Sequence, residues 1–273
     1  MHHTFEPDHY HTTLGTHAPV LSIHSGDTVS TTTVDAGGRD KDGNQTTEGG
    51  NPQTGPFYVE GAKPGDTLAV RWDHLMPNRG WGHTSARVAP NVLDPGYVPK
   101  FDDEIMRVIW TIDFDNKTAT PAEVCTDRLQ TTLSDGQPVE GLLANLTLPL
   151  NPHSGCFGVA PPRGQAISTA TSASNGGNMD YNGFVEGVTM YLPVYVAGAL
   201  FHVGDGHALQ GDGEIVGTGI EISFDVTFTV EVISGKTIHW PRAESDTHIM
   251  TAGNARPLDQ CVEHASTEMI RFL

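Results

Sequence analysis

The residues best equipped for chemistry concentrate in one stretch, FHVGDGHALQGDGEIVGTGIE (Phe201–Glu221), where two histidines and four carboxylates are interrupted by six glycines. An ionised carboxylate is costly to bury unless it is paired or ligates a cation, so a hydrophobic core has no use for this mixture. His202 and His207 offer imidazole nitrogens. Asp205, Asp212, Glu214 and Glu221 offer oxygens. Mixed nitrogen and oxygen donors suit Zn, Mn or Fe, whereas all-oxygen sets suit Ca or Mg. On an extended strand His202 and Asp205 face opposite ways, and they reach one ion only if the backbone turns at Gly204 or Gly206. A bound divalent ion lowers the pKa of water from about 15.7 to about 7, and a neighbouring carboxylate can then shuttle the proton. The blander reading makes Asp205 and Asp212 turn residues, each followed by glycine, and His202 a satisfied core histidine among Leu200, Phe201 and Val203.

A second segment supplies what the first lacks. The loop SASNGGNMDYNG (172–183) has little to pack and carries a lone carboxylate, Asp180. Loops of this kind serve as linkers or as sites, and with strands on both sides a site is the better reading. Other chemistries fit poorly. The calcium loop D-x-D-x-D-G and the HExxH zinc motif are absent. The five lysines, Lys41, Lys63, Lys100, Lys117 and Lys236, all sit in polar or turn contexts, which argues against a Ser–Lys nucleophile. Cys156 stands near His153 in HSGCFGVAP as a thiolate candidate, against the plainer role of a small buried residue.

The elements that must hold these groups read as mainly β. Gly (31) and Pro (18) are plentiful, and long runs of strong helix formers are absent. Val20–Ala36 alternates about Ser25-Gly26-Asp27 and predicts a hairpin, with Asp35 at its end. Lys63-Pro64-Gly65-Asp66 predicts a type II turn into a strand over Thr67–Met76. Val108–Phe114 alternates, and Ile220–Val232 predicts one long strand that fastens the acidic stretch. Leu258, Cys261 or Val262, Ala265, Met269 and Phe272 recur at helical spacing, and this helix ends on its apolar face, as if further chain followed. We divide the chain into an N-terminal β-rich part, 1–150, and a C-terminal β-rich part, 151–273, packed intimately or as one domain.

Composition excludes some partners. Fifteen basic and 33 acidic residues give a formal charge of −18, the wrong sign for nucleic acid or an anionic membrane. Three scattered cysteines, Cys125, Cys156 and Cys261, form no CxxC pair and point to a reducing compartment. The start has no basic and apolar leader pattern, and no apolar run reaches the ~20 residues of a membrane span, so a cytoplasmic location is expected.

Six pieces, HSGDTV (24–29), NPQTGPFYVEGAKPGDTL (51–68), CFGVAPP (156–162), GGNMD (176–180), HVGDGHALQGDGE (202–214) and GTGIE (217–221), together resemble the acetamidase/formamidase family. They occur in family order and cover most of the chain, up to about the last helix. The resemblance implies a mainly β fold with sandwich-like and barrel-like parts, a few short helices and a C-terminal helix. It also implies a metal-containing amidohydrolase that converts short aliphatic amides to ammonia and a carboxylate. Asp180, His202, Asp205, His207 and Glu214 fall where the family concentrates polar site residues, with Asp35 as an outlier from the N-terminal half. Family members extend beyond the helix that ends here.

Within that frame we assign Asp180, Asp205, His207 and Asp35 as ligands of a divalent metal, zinc or calcium. Glu214 and His202 are the catalytic candidates, Glu214 as general base and then proton donor to the departing nitrogen. His83, His153 and Gly177 are the substrate-binding candidates. The expected substrate is a small neutral amide and the expected assembly a homo-oligomer, with no nucleic acid or membrane partner. Two alternatives stay open: a non-catalytic β-sandwich binding module stabilised by calcium, with Trp81 and Tyr97 as its exposed aromatics, and an amidase using Cys156 as nucleophile.

Overall fold

The strand Phe224–Ile233 buries Phe224, Val226, Phe228 and Val230 on one face and turns Asp225, Thr227, Thr229 and Glu231 outward. That period of two marks a strand with one covered face. It lies near the middle of a seven-stranded sheet, ordered His2–Thr4, Thr28–Thr32, Phe224–Ile233, Thr67–Pro77, Thr189–Pro193, Arg242–Glu244 and Ile249–Thr251. A second sheet of twelve strands is built around Phe201–His207, which pairs with His153–Gly158, Glu221–Ile222 and Gln53–Glu60. On one side it continues through Trp81–Ser85, Arg107–Asp113 and Thr118–Cys125, and on the other through Gly176–Asn178 and Ser172–Ala173. The computed structural model describes residues 1–86, 88–89, 92–94, 96, 106–126 and 136–273; Tyr97 and Lys100 lie outside them.

The apolar faces of the two sheets meet in one core. Trp72 and Phe228 from the first sheet interlock with Phe57, Phe157 and Phe201 from the second, at ring centroid distances of 5.1–6.2 Å and mostly edge to face. Burial of this kind is the main stabilising contribution, and truncating one such ring costs about 3–5 kcal/mol. Each sheet draws strands from both sides of residue 150: Thr67–Pro77 pairs with Phe224–Ile233, and Gln53–Glu60 with Phe201–His207. The fold is therefore mainly β, with sheet packed on sheet and one α-helix, Leu258–Phe272, among the described residues. None of the described helices is long and apolar enough to cross a membrane.

Three expectations are corrected. Val20–Ala36 is no hairpin: Leu21–His24 joins the twelve-stranded sheet beside Gln53–Glu60, and Thr28–Thr32 joins the other. Its turn forms as expected, with Gly26 at φ +89° and the Asp27 carboxylate accepting the His24 N–H, but it carries the chain from one sheet to the next. Ile220–Val232 is likewise two strands, Glu221–Ile222 and Phe224–Ile233, in different sheets. At the junction the Ser223 hydroxyl donates to Asn78 Oδ1, and the Phe224 N–H donates to Thr33 Oγ1. Inward and outward parity survives both crossings, so alternation alone gives no sign of them. The helix forms where expected, yet Leu258 and Val262 are exposed while Glu268 is fully buried. The buried Arg242, 2.7 Å from Glu268 Oε1, demands that counter-charge.

Candidate active site

Phe201–His207 is buried along its whole length. The first third of the acidic stretch is thus a central strand, not the polar loop its composition suggests. Side chains alternate along it, so Asp205 and His207 share one face and His202 takes the other. His202 stacks edge-on with His11 and His17, with ring centroids 6.2 and 5.8 Å away, and its Nδ1 donates to Leu200 O at 3.0 Å. Burial pushes its pKa down to about 3. It stands apart from the carboxylates.

On the other face, His207 becomes the centre of four acids. Its Nε2 lies 3.5 Å from Asp205 Oδ1, 3.0 Å from Glu221 Oε1 and 3.7 Å from Glu214 Oε1. Glu221 arrives opposite His207 in the ladder, and its Oε1 accepts the Gly219 N–H at 2.9 Å. Asp180 arrives from the turn after Gly176–Asn178, its N–H donating to Gly155 O at 3.1 Å. Asn51 Nδ2 donates to Asp205 Oδ2 at 3.0 Å, and Asn178 Nδ2 donates to Asp180 Oδ2. Glu214 sits on a single 3-10 turn beside Gly213, which has φ +75°.

Two triads result, Asp180–Asp205–His207 and His207–Glu214–Glu221, each with one ligand atom per residue and all three within 4.8 Å of one another. Asp205, His207 and Glu221 form a buried floor. Asp180 and Glu214 are half-buried and reach a cavity of about 620 Å³ whose lining includes Thr171, Ser172, Asn178 and Arg256.

Such crowding sets the protonation of every member. Burial, reinforced by the Asp205 and Glu214 charges, pushes Asp180 up to about 9. Burial also raises Glu221 and Glu214. Burial opposes ionisation of Asp205 as well, but His207 and the Asn51 hydrogen bond outweigh it and its pKa falls. His207 rises well above the usual imidazole value, because Glu221 and Asp205 overcome its desolvation. With no cation present, these shifts favour the protonated forms of Asp180, Glu214, Glu221 and His207.

The residues present fit a cation. Asp180 Oδ1, His207 Nε2 and Glu221 Oε2 are buried without a hydrogen-bond partner; His207 Nε2 is close to Glu221 but misaligned for a bond. A Cβ at Gly155 would stand 2.7 Å from Asp180 Oδ1, Asp205 Oδ2 and His207 Cε1, so the space between the ligands is kept open by a missing side chain. Orphaned acceptors around a clear space are what a ligand site needs and a core does not.

The remaining predicted residues lie outside both triads. Asp35 is buried and belongs to neither triad; its carboxylate pairs with Arg79 and accepts the Arg39 N–H at 2.9 Å. His83 is the ladder partner of Glu221, and burial depresses its pKa to about 3. His153 is fully buried with Nε2 3.2 Å from His207 Nδ1. Gly177 has φ +106°, and a Cβ there would meet Thr171 O at 2.5 Å, so its glycine answers to the hairpin. Asp212 is exposed and accepts a bond from Asn182. Burial and the Asp205 and Asp180 charges keep the Cys156 thiol protonated, and it faces Thr169 O at 3.6 Å. Glu221 counted among the possible oxygen donors but was assigned no role from the sequence, and Asn51 and Gly155 received none. The available signal was a carboxylate between Ile220 and Ile222, in a run that otherwise buries apolar side chains.

The model of the acetamidase/formamidase family matches residues 163–260. An acetamidase of Mycolicibacterium smegmatis is 30% identical over 220 residues, which are 67% of this chain and 53% of that protein. The crystal structure of an acetamidase from Yersinia enterocolitica matches all of this chain and 80% of its own, with TM-score 0.78 and 29% identity. That of an acetamidase from Bacillus halodurans matches 99% and 84%, with TM-score 0.75 and 29% identity. This chain spans about half the length of the curated relatives it matches. It belongs to the acetamidase/formamidase family.

Proposed function

We propose that the chain hydrolyses the C–N bond of short aliphatic amides of the formamide and acetamide type, releasing ammonia and a carboxylate. The observation that carries this reading is the His207-centred cluster, with its unpartnered ligand atoms, at the base of an open polar cavity. The names of the related acetamidases support it. Asp180, Asp205 and His207 hold a divalent ion; one imidazole among carboxylates suits zinc better than calcium, which takes oxygen ligands. When bound, that ion supplies Lewis-acid activation of water and of the substrate carbonyl.

The chain's own residues do the rest. Glu214 stands half-buried at the cavity wall, and its raised pKa suits a carboxylate that takes a proton from the attacking water and passes it to the departing nitrogen. Glu221 lies below it, with Oε1 3.0 Å from His207 Nε2, and adds a further carboxylate oxygen beside the proposed ion. Thr171, Ser172 and Asn178 give the cavity the polar lining that a neutral amide needs for orientation. Assembly into a homo-oligomer belongs to this reading, and the exposed Leu258, Val262, Ile270 and Leu273 offer an apolar helix face for it. Ammonia release from formamide and acetamide is the direct test. It should vanish on full metal depletion and return with zinc; turnover that survives depletion would sink the mechanism.

A further inference from the structure

The cation site has a second support that no metal ligand provides. His153 and His207 face each other across the antiparallel pair His153–Gly158 and Phe201–His207, as direct ladder partners. Their side chains therefore emerge on the same face. The rings meet edge to face with centroids 5.1 Å apart, and His207 Nδ1 is 3.2 Å from His153 Nε2. Both residues are buried, His153 fully.

Which nitrogen carries the proton follows from the far side of His153. Its Nδ1 is 2.7 Å from Asn151 O, and a carbonyl only accepts. The proton of His153 is thus on Nδ1. Gln210 Oε1 lies 3.2 Å from His153 Nε2 and pulls towards the opposite tautomer. That tautomer would press a bare Nδ1 against Asn151 O at 2.7 Å, so the shorter contact decides. Rotating the Gln210 amide is blocked as well, because its Nε2 already donates to Asp180 O at 2.6 Å. A second proton on His153 would bury a charge among Asn151, Gln210 and His207, none of them a carboxylate. His153 Nε2 is left as a bare acceptor, and the donor that meets it is His207 Nδ1–H.

We propose that His153 is a positioning residue: by accepting the Nδ1 proton of His207 it fixes the tautomer that leaves His207 Nε2 free to face Asp180, Asp205 and Glu221. The relay runs from the Asn151 carbonyl through His153 to His207. It rests on the proposed cation site and adds the element that orients its one imidazole. Hydrogen-bonded partners behind a ligating histidine change metal affinity by about 10–100-fold when removed.

The test uses zinc binding and ring nitrogen spectra, not turnover alone. In the zinc-loaded wild type, the ¹⁵N spectrum of His207 should show Nδ1 protonated and Nε2 ligated; Nδ1 ligation would overturn the proposal outright, with no variant needed. By chelator competition, His153→Leu should lose zinc affinity about 10–100-fold. His153→Gln, whose side-chain carbonyl can stand in for Nε2, should stay within a few-fold of wild type. Equal affinity in the Leu variant, or an equal loss in both folded variants, overturns the role. A wild type that binds no zinc overturns both this and the amide reading. If zinc binds as described and no amide is cleaved, only the amide reading falls.

Discussion

Gly155→Ala probes the cation cradle most directly. Position 155 has no left-handed φ, so alanine meets no backbone penalty there, and the whole effect comes from one added carbon. That Cβ would lie 2.7 Å from Asp180 Oδ1, Asp205 Oδ2 and His207 Cε1, whereas ordinary contact begins at 3.4 Å. Each group must therefore retreat by about 0.7 Å, while a metal site tolerates roughly ±0.2 Å in its ligand distances. Overpacking of this size costs about 1–3 kcal/mol, and for a chain of this length each kcal/mol moves Tm by about 2–4 °C. The variant should fold with a Tm about 2–12 °C lower, bind little zinc and release no ammonia from formamide. Zinc itself supplies the sharper readout. At about 100 times its Kd, zinc should stabilise the wild type by about 2.7 kcal/mol, which the variant should not show. Elemental analysis after dialysis and thermal unfolding with and without zinc measure both. Gly155→Ala with full zinc content and wild-type zinc stabilisation would refute the placement of the site between these three side chains.

Glu214→Gln should retain zinc and stay folded, since glutamine keeps the shape of the half-buried side chain, yet lose turnover by about 10²–10⁴-fold; ammonia release at the wild-type rate removes Glu214 from proton transfer. Cys156→Ala should keep amide turnover within a few-fold, because the buried thiol is protonated; complete loss in a folded, zinc-loaded variant would revive the cysteine nucleophile. The metal-free protein should lose stability as pH rises from about 5 to about 9. Asp180 has its folded pKa near 9 against 3.8 and Glu221 near 8 against 4.5, so the folded chain keeps protons that the unfolded chain releases in that window. His207, raised above 6.5, acts in the same direction, its contribution present at low pH and lost as pH climbs. Thermal unfolding in chelator from pH 5 to 9 reads this, and a Tm that rises across the range contradicts the protonated cluster.

Much of the β content and several strand positions were legible because the signal was local. Thr67–Pro77 and Arg107–Asp113 lie within a residue of where alternation and the Lys63–Asp66 turn place them. The sheet partners were not legible, since parity is the same whether a strand stays in its sheet or crosses at Gly26 or Ser223. Helical spacing located Leu258–Phe272, but charge decided its buried face: Arg242 needed Glu268, and no periodicity of apolar residues reports a counter-ion 26 positions away. In the site, Asp180, Asp205, His207 and Glu214 were visible as polar groups among glycines, and they converge. His202 was separated from them by strand parity. Asp35 was committed elsewhere by Arg79, a pairing across 44 residues.

The backbone shows why local reading stops there. Asp180, Asp205 and Glu214 have φ of +43°, +56° and +45°, three of the eight non-glycine residues with positive φ among those described. Each such conformation costs roughly 1–3 kcal/mol and persists only where surroundings over-determine it. Asp205 is held by Asn51, Asp180 by Gly155 O and Asn178, and Glu214 by the turn that its carbonyl closes with Gly217 N–H. The neighbouring glycines are what a sequence displays, yet the strain falls on the acids themselves. A chain that spends backbone energy at three carboxylates to aim them at one imidazole gains nothing in apolar burial. On the function proposed above, the return comes from a divalent cation that replaces the protons which burial otherwise favours on Asp180 and Glu221, and which the neighbouring carboxylates favour on His207.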